Sequence, residues 1–192
     1  MQPIVDFVLE LEKLKGVTRK VKPLGLDRYE NSAEHSWQLA MFAISLARYT
    51  GAIVDVGRVI RLLLVHDVGE IDTGDRLFFA EGGWEERKAA EAAAAARIFG
   101  MLPENQGADL LALWHEFERG ETAEARFARA VDRAMPVLLN LSNNGQSWKE
   151  NGVSYERVVE RISAPIRAGC PALWVYLETR LEEARRRALF GT

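Results

Sequence analysis

At 192 residues the chain suits one domain and can bury about 70% of its unfolded surface, so its core needs no disulfide or structural metal. Its 25 Lys and Arg against 28 Asp and Glu leave a net charge of -3, without the basic excess of a duplex nucleic-acid binder. The 48% hydrophobic and 28% charged residues match an ordinary globular protein, and a lone cysteine, Cys170, excludes a disulfide framework or thiolate metal cluster.

Helical periodicity dominates, and alternating β-branched patterns are nearly absent, so an all-α fold of about seven or eight helices is expected. A first helix follows Pro3, runs over about 3–15 and ends at Gly16. Residues 1–6 carry no basic region or long apolar stretch, so no secretory leader is expected. No run of about 18 apolar residues occurs, which argues against a membrane helix and makes a cytoplasmic protein the default. A basic connector with Pro and Gly covers 17–29. Asn31 then has the place of an N-cap, with Glu34 three residues on, as in a capping box. That second helix reaches about Thr50 and stops at Gly51. A third spans about 56–71, and a loop follows over 72–83.

The alanine-rich stretch from Trp84 to about Phe99 has very high helix propensity. Pro103-Glu104 opens a helix to about Glu118, and Thr122 caps the next, which ends before Ser142-Asn143-Asn144-Gly145. Ser154 caps a helix to about Ala168. Pro171 sits at the first position of the last one, where its missing N–H is harmless. The expected organisation is a single domain over 1–192, with a core at about 30–141 and C-terminal helices at 154–190 packed on it.

Three of these helices place an ionisable group on their apolar side. His35 shares a face with Leu39 and Phe42, His66 with Leu62 and Val59, and Asp132 with Ala128, Met135 and Leu139. A buried carboxylate needs a positive partner. One solution for Asp132 is a nearby Arg or Lys; another is a cation shared with the histidines. Neighbours on a helix diverge by about 100°, yet at a helix end His66 and Asp67 can both reach a metal at the edge. Imidazole nitrogen with carboxylate oxygen suits Mn²⁺, Co²⁺, Fe²⁺ or Zn²⁺, and four such ligands leave positions open for substrate. Glu70, four residues after His66 and three after Asp67, shares their helix edge.

His35, His66-Asp67 and Asp132 together resemble the pattern of the HD-domain phosphohydrolases. Glu30-Asn31-Ser32-Ala33-Glu34-His35-Ser36, the run from His66 to Asp75, and Leu113-Trp114-His115-Glu116-Phe117-Glu118 are similar to the 5′-deoxynucleotidase branch of that family. The resemblance implies an HD-domain bundle and one divalent metal on His35, His66, Asp67 and Asp132. It also implies hydrolysis of deoxyribonucleoside 5′-monophosphates to nucleoside and phosphate, with Glu70 catalytic. Arg19 matches the family's phosphate-binding arginine and Asp75 a substrate-contacting acid that bonds a sugar hydroxyl. A homodimer is implied as well, and the Leu173, Trp174, Leu177 and Leu181 face of the last helix can supply an interface or cover the chain's own core.

The sequence departs from the branch where Lys20 replaces an aromatic residue after Arg19, and where Pro136 interrupts the hydrogen bond to the Asp132 carbonyl, which is expected to kink that helix. His115 reads as a half-exposed structural histidine rather than a second-metal ligand, and Trp148 and Trp174 as core or interface. The rival readings are an HD phosphohydrolase for another nucleotide or phosphomonoester, and a non-catalytic, metal-bound nucleotide-sensing domain.

Overall fold

The computed structural model describes residues 1–77, 79 and 83–191; the expected loop at 72–83 therefore lies partly outside the described residues. The described residues are helical, and they contain no β-strand beyond one isolated bridge between Thr18 and Asn31. None of their helices is long and apolar enough to cross a membrane.

Helix α1 (Gln2–Leu11) tightens into a 3-10 turn over Glu12–Gly16. Helix α2 (Ser32–Leu46) starts at the expected capping box: Asn31 Oδ1 accepts the Glu34 N–H at 2.9 Å, and Glu34 Oε1 accepts the Asn31 N–H at 2.8 Å. A cap of this kind is worth about 1 kcal/mol, and it sets the first turn that carries His35.

The expected third helix over 56–71 is divided. Helix α3 (Val56–Val65) ends at His66, tight turns occupy His66 to Gly69, and a short helix α4 (Glu70–Thr73) follows. Asp72 thus belongs to a helix rather than a loop, and it pairs with Arg97 at 2.7 Å. The division has two local causes. The His66 ring takes the Leu63 carbonyl at 2.8 Å, competing with the helical ladder. Gly69 meanwhile lies so close to helix α5 (Trp84–Phe99) that a Cβ would stand 2.7 Å from the Glu91 carbonyl oxygen. Chain direction is set here by packing, and the tight turns bring Glu70 over Asp67.

Helix α6 (Glu104–Arg119) leads to α7 (Ala123–Ser142), which runs unbroken through Pro136 and is the axis of the molecule. Buried Ala125, Ala128, Ala130 and Ala134 let its neighbours approach, while Phe127 and Val131 fill the remaining core volume. The N-cap of α7 is tied to two other helices. Buried Glu116 on α6 accepts from Thr122 Oγ1 at 2.7 Å and from Arg58 of α3.

A further short helix, α8 (Gln146–Glu150), lies between the two expected ones, and buried Asn140 organises its start. Asn140 Oδ1 accepts the N–H groups of Ser147 and Trp148 at 2.9 and 3.2 Å. Helix α9 (Tyr155–Gly169), capped by Ser154, packs along α7, and α10 (Pro171–Arg186) packs on both. Leu173, Trp174, Leu177 and Leu181 of α10 are buried in the chain's own core, so a homodimer would have to pair through another face.

The contact of α9 with α7 depends on Gly169, where a Cβ would meet the Arg126 carbonyl oxygen at 2.1 Å and the Ala130 methyl at 2.7 Å. Gly169→Ala is expected to destabilise by about 1–3 kcal/mol through overpacking. Calorimetry should show a Tm lower by several degrees; an unchanged Tm would mean that the two helices separate freely.

Candidate active site

Each ligand candidate sits where a helix end or a buried face meets the same cleft. His35 leaves the first turn of α2, His66 caps α3, and Asp132 projects from the middle of α7. Their ligating atoms lie within 4.8 Å of one another, and all three residues are buried. His35 Nε2 is 3.2 Å from Asp132 Oδ1, and His66 Nε2 is 3.7 Å from that same oxygen. The second oxygen of Asp132 faces Arg133 at 3.4 Å. An arginine therefore faces one carboxylate oxygen of Asp132, and the two histidine rings face the other.

Asp67 stands beside this trio rather than within it. Its Oδ1 is 3.0 Å from His66 Nε2, and its Oδ2 accepts from Arg19 Nη1 at 3.0 Å. Arg19 reaches the site from the connector, with Asp75 Oδ1 3.7 Å from the same nitrogen. The sequence does not determine the connector's position; the structure places Arg19 and Asp75 together at the cleft. Glu70 is buried, and its Oε2 accepts from Ser32 Oγ at 2.8 Å at the start of α2.

Electrostatics favour added positive charge. Burial raises the Glu70 carboxyl far above its usual range, and neighbouring Asp67 adds to that although Arg19 opposes it. Burial likewise raises Asp75, against the pull of Arg19. For Asp132 burial acts in the same sense, but Arg133 and the facing His35 and His66 rings reverse it and hold the carboxyl low. Burial alone would lower the His66 pKa, yet Asp67 and Asp132 outweigh it and hold it above the ordinary value. Arg19 is kept charged in the same way, since Asp67, Asp75, Glu70 and Asp132 more than offset its burial.

The donor set fits a divalent cation. The Leu63 carbonyl can only accept, so its contact with His66 places a proton on Nδ1, and the neutral ring then carries its lone pair on Nε2. That nitrogen is buried, has no hydrogen-bond partner among the described residues, and points at two carboxylates. A lone pair held against carboxylate oxygens calls for a cation between them. Trp114 Nε1 donates to the His66 carbonyl at 3.1 Å, and Phe117 packs on the imidazole with centroids 4.9 Å apart, fixing the ring.

The cluster opens on a cavity of about 150 Å³. Its walls include Arg87 and Arg133 beside Arg19, with Lys20, Arg76 and Trp84 also lining it. Arg76 stacks over the Trp84 ring at 5.1 Å. Trp148 is core, as expected, stacked on Phe190 at 4.4 Å, and one edge of it also lines the cavity with Pro136 and Asn140. His115 is exposed, packs edge-on to Trp114 and lies apart from the cluster. The residues missed from sequence are chiefly Glu30, Ser32, Trp114 and Phe117. All four lay inside the runs that carry the resemblance, Glu30 and Ser32 on either side of the cap residue Asn31, and Trp114 and Phe117 between Leu113 and Glu118.

A bundle of this topology with paired histidines and an aspartate on three helices defines a class. The HD-domain model matches residues 11–174, and the chain belongs to the HD-domain family. More particularly, it is 29% identical over 136 residues to the 5′-deoxynucleotidase HDDC2 of Xenopus laevis, a match covering 68% of this chain and 66% of that one. It is 36% identical over 107 residues to the 5′-deoxynucleotidase YfbR of Escherichia coli, covering 51% of this chain and 53% of that one. The matches thus span between about half and two thirds of these relatives' lengths. Along its whole length it is similar to a solved Magnetospirillum magnetotacticum MS-1 protein described as a predicted metal-dependent phosphohydrolase. That similarity has TM-score 0.92 and 41% identity, and covers 100% of this chain and 98% of the other.

Proposed function

We propose that this protein is a metal-dependent phosphohydrolase acting on deoxyribonucleoside 5′-monophosphates, releasing nucleoside and inorganic phosphate. The observation that carries this reading is the partnerless Nε2 of His66, aimed at Asp67 and Asp132 next to a buried arginine. The similarity to two 5′-deoxynucleotidases supports the choice of substrate. We assign His35, His66, Asp67 and Asp132 to one divalent ion, Mn²⁺, Co²⁺, Fe²⁺ or Zn²⁺, and treat residues 1–192 as a single HD domain that pairs as a homodimer.

Held by these four residues, the ion would supply Lewis acidity toward the phosphate and the attacking water. Arg19 holds two phosphate oxygens with its planar fork, exchanging part of its contact with Asp67 and Asp75 for the substrate. Glu70, oriented by Ser32, moves a proton between the water and the departing 5′-oxygen. Asp75 accepts a hydrogen bond from a sugar hydroxyl. Lys20 at the cavity wall places a cation where the 5′-deoxynucleotidase branch often carries an aromatic residue, which favours contacts with polar edges of the base over stacking.

Purified protein supplied with each of the four metals should release phosphate from at least one deoxynucleoside monophosphate. Release from other phosphomonoesters alone would transfer the activity to another substrate, and nucleotide binding without turnover would favour the sensing domain. Arg19→Ala is expected to raise KM by about 10–100-fold, since a hydrogen bond to a charged group is worth about 1.5–3 kcal/mol. Steady-state kinetics at fixed metal occupancy checks this, and an unchanged KM removes Arg19 from phosphate binding.

A further inference from the structure

Glu30 has no part in the reaction just described, yet it is only 1% exposed and approaches the cluster from behind. A carboxylate so buried must face positive or N–H groups. Its Oε2 lies 3.2 Å from His35 Nδ1 and 3.3 Å from Arg19 Nε. All three atoms are buried, and none has a hydrogen-bond partner among the described residues, so the approaches of Glu30 to His35 and Arg19 are ion-pair contacts between otherwise unsatisfied groups. The backbone holds this carboxylate in place. The Glu30 N–H donates to the Val21 carbonyl at 2.8 Å, and the Glu30 carbonyl accepts the Arg19 N–H at 2.8 Å. Residues 19 and 30 are thereby fixed side by side, next to the bridge of Thr18 with Asn31.

We propose that Glu30 is a positioning residue that holds His35 as the Nδ1–H tautomer and, through the same oxygen, anchors the guanidinium of Arg19. The proposal rests on the metal-site reading above. An imidazole has one lone pair when neutral, and whichever nitrogen donates a hydrogen bond cannot ligate. His35 Nε2 points at Asp132 and at the cluster, so the ring serves there only if its proton sits on Nδ1. Glu30 is the carboxylate beside Nδ1 and favours a proton on that side, and a carboxylate behind a ligating histidine also makes the ring a better donor to the metal. Because one oxygen serves both His35 and Arg19, a single side chain sets the distance between the metal ligand and the phosphate-binding group.

Zinc is the suitable probe, being diamagnetic and free of redox chemistry. The experiment combines calorimetric Zn²⁺ titration with long-range ¹H–¹⁵N spectra of the histidine rings. The wild-type protein should bind zinc with His35 protonated at Nδ1 and coordinated through Nε2. Glu30→Gln, with unchanged helical circular dichroism, should bind zinc about 10–100-fold more weakly. Glu30→Asp retains the carboxylate and should fall between the two. Equal zinc affinity in wild type and a folded Glu30→Gln overturns the proposal, as does coordination of His35 through Nδ1. The second result needs only the wild-type protein and decides the matter if the variant fails to fold. A wild-type protein that binds no zinc or other divalent ion overturns the metal reading itself, and the role of Glu30 with it.

Discussion

Asp132→Ala is expected to lower phosphate release by roughly 10³-fold or more, the equivalent of the several kcal/mol of transition-state stabilisation that a catalytic ion contributes. The reason is geometric. Asp132 Oδ1 is the atom that both His35 Nε2 and His66 Nε2 face, at 3.2 and 3.7 Å. Without it the two rings share no anion, and the third helix of the site offers no donor. Metal content measured after dialysis should fall together with activity, while circular dichroism stays helical. His115→Ala is the matched control. That side chain is exposed and lies outside the cluster, so both metal content and turnover should remain at wild-type values. Full metal occupancy in Asp132→Ala would remove Asp132 from the ligand set.

Glu70→Gln should have an effect of comparable size by a different route. Gln has the same shape, and its carbonyl oxygen can still accept the Ser32 hydroxyl that holds Glu70 at 2.8 Å. It cannot exchange a proton. Removing a general acid–base costs about 10²–10⁴ in rate, so kcat and kcat/KM should fall together by that factor with metal content unchanged. The raised pKa of Glu70, caused by burial and by Asp67, fits a group that carries a proton into the reaction. If Glu70→Gln turned over substrate at the wild-type rate, the proton would have to travel by another residue. Loss of metal in this variant would instead make Glu70 a ligand.

Much of the site was legible because its signals are local. His35, His66 and Asp132 each interrupt an otherwise apolar helix face, and a buried ionisable group at helical spacing declares that a partner exists. Asn31, Thr122 and Ser154 announced their helices because a cap acts on N–H groups three residues away. The all-helical fold followed from the same short-range periodicity.

Other features depended on residues far apart in the chain. The break between α3 and α4 comes from α5 pressing on Gly69, and the shift of Asp72 from loop to helix comes with it. Helix α8 is organised by Asn140, two residues before the end of α7, across seven and eight positions that helical periodicity does not bridge. The α10 face looked equally suited to a partner or to the core, and only packing assigned it to the core.

The sequence by itself therefore singled out the residues to which the proposal assigns the chemistry: two histidines, the adjacent aspartate and a distant aspartate on helix faces, with Glu70 one turn beyond. Tertiary structure alone decided how they are held. Arg19 meets Asp67 across 48 positions and His35 meets Asp132 across 97, and no periodicity reports such distances. Only the folded chain shows Glu30 behind both His35 and Arg19, because burial of a charge is a property of the surroundings rather than of the residue.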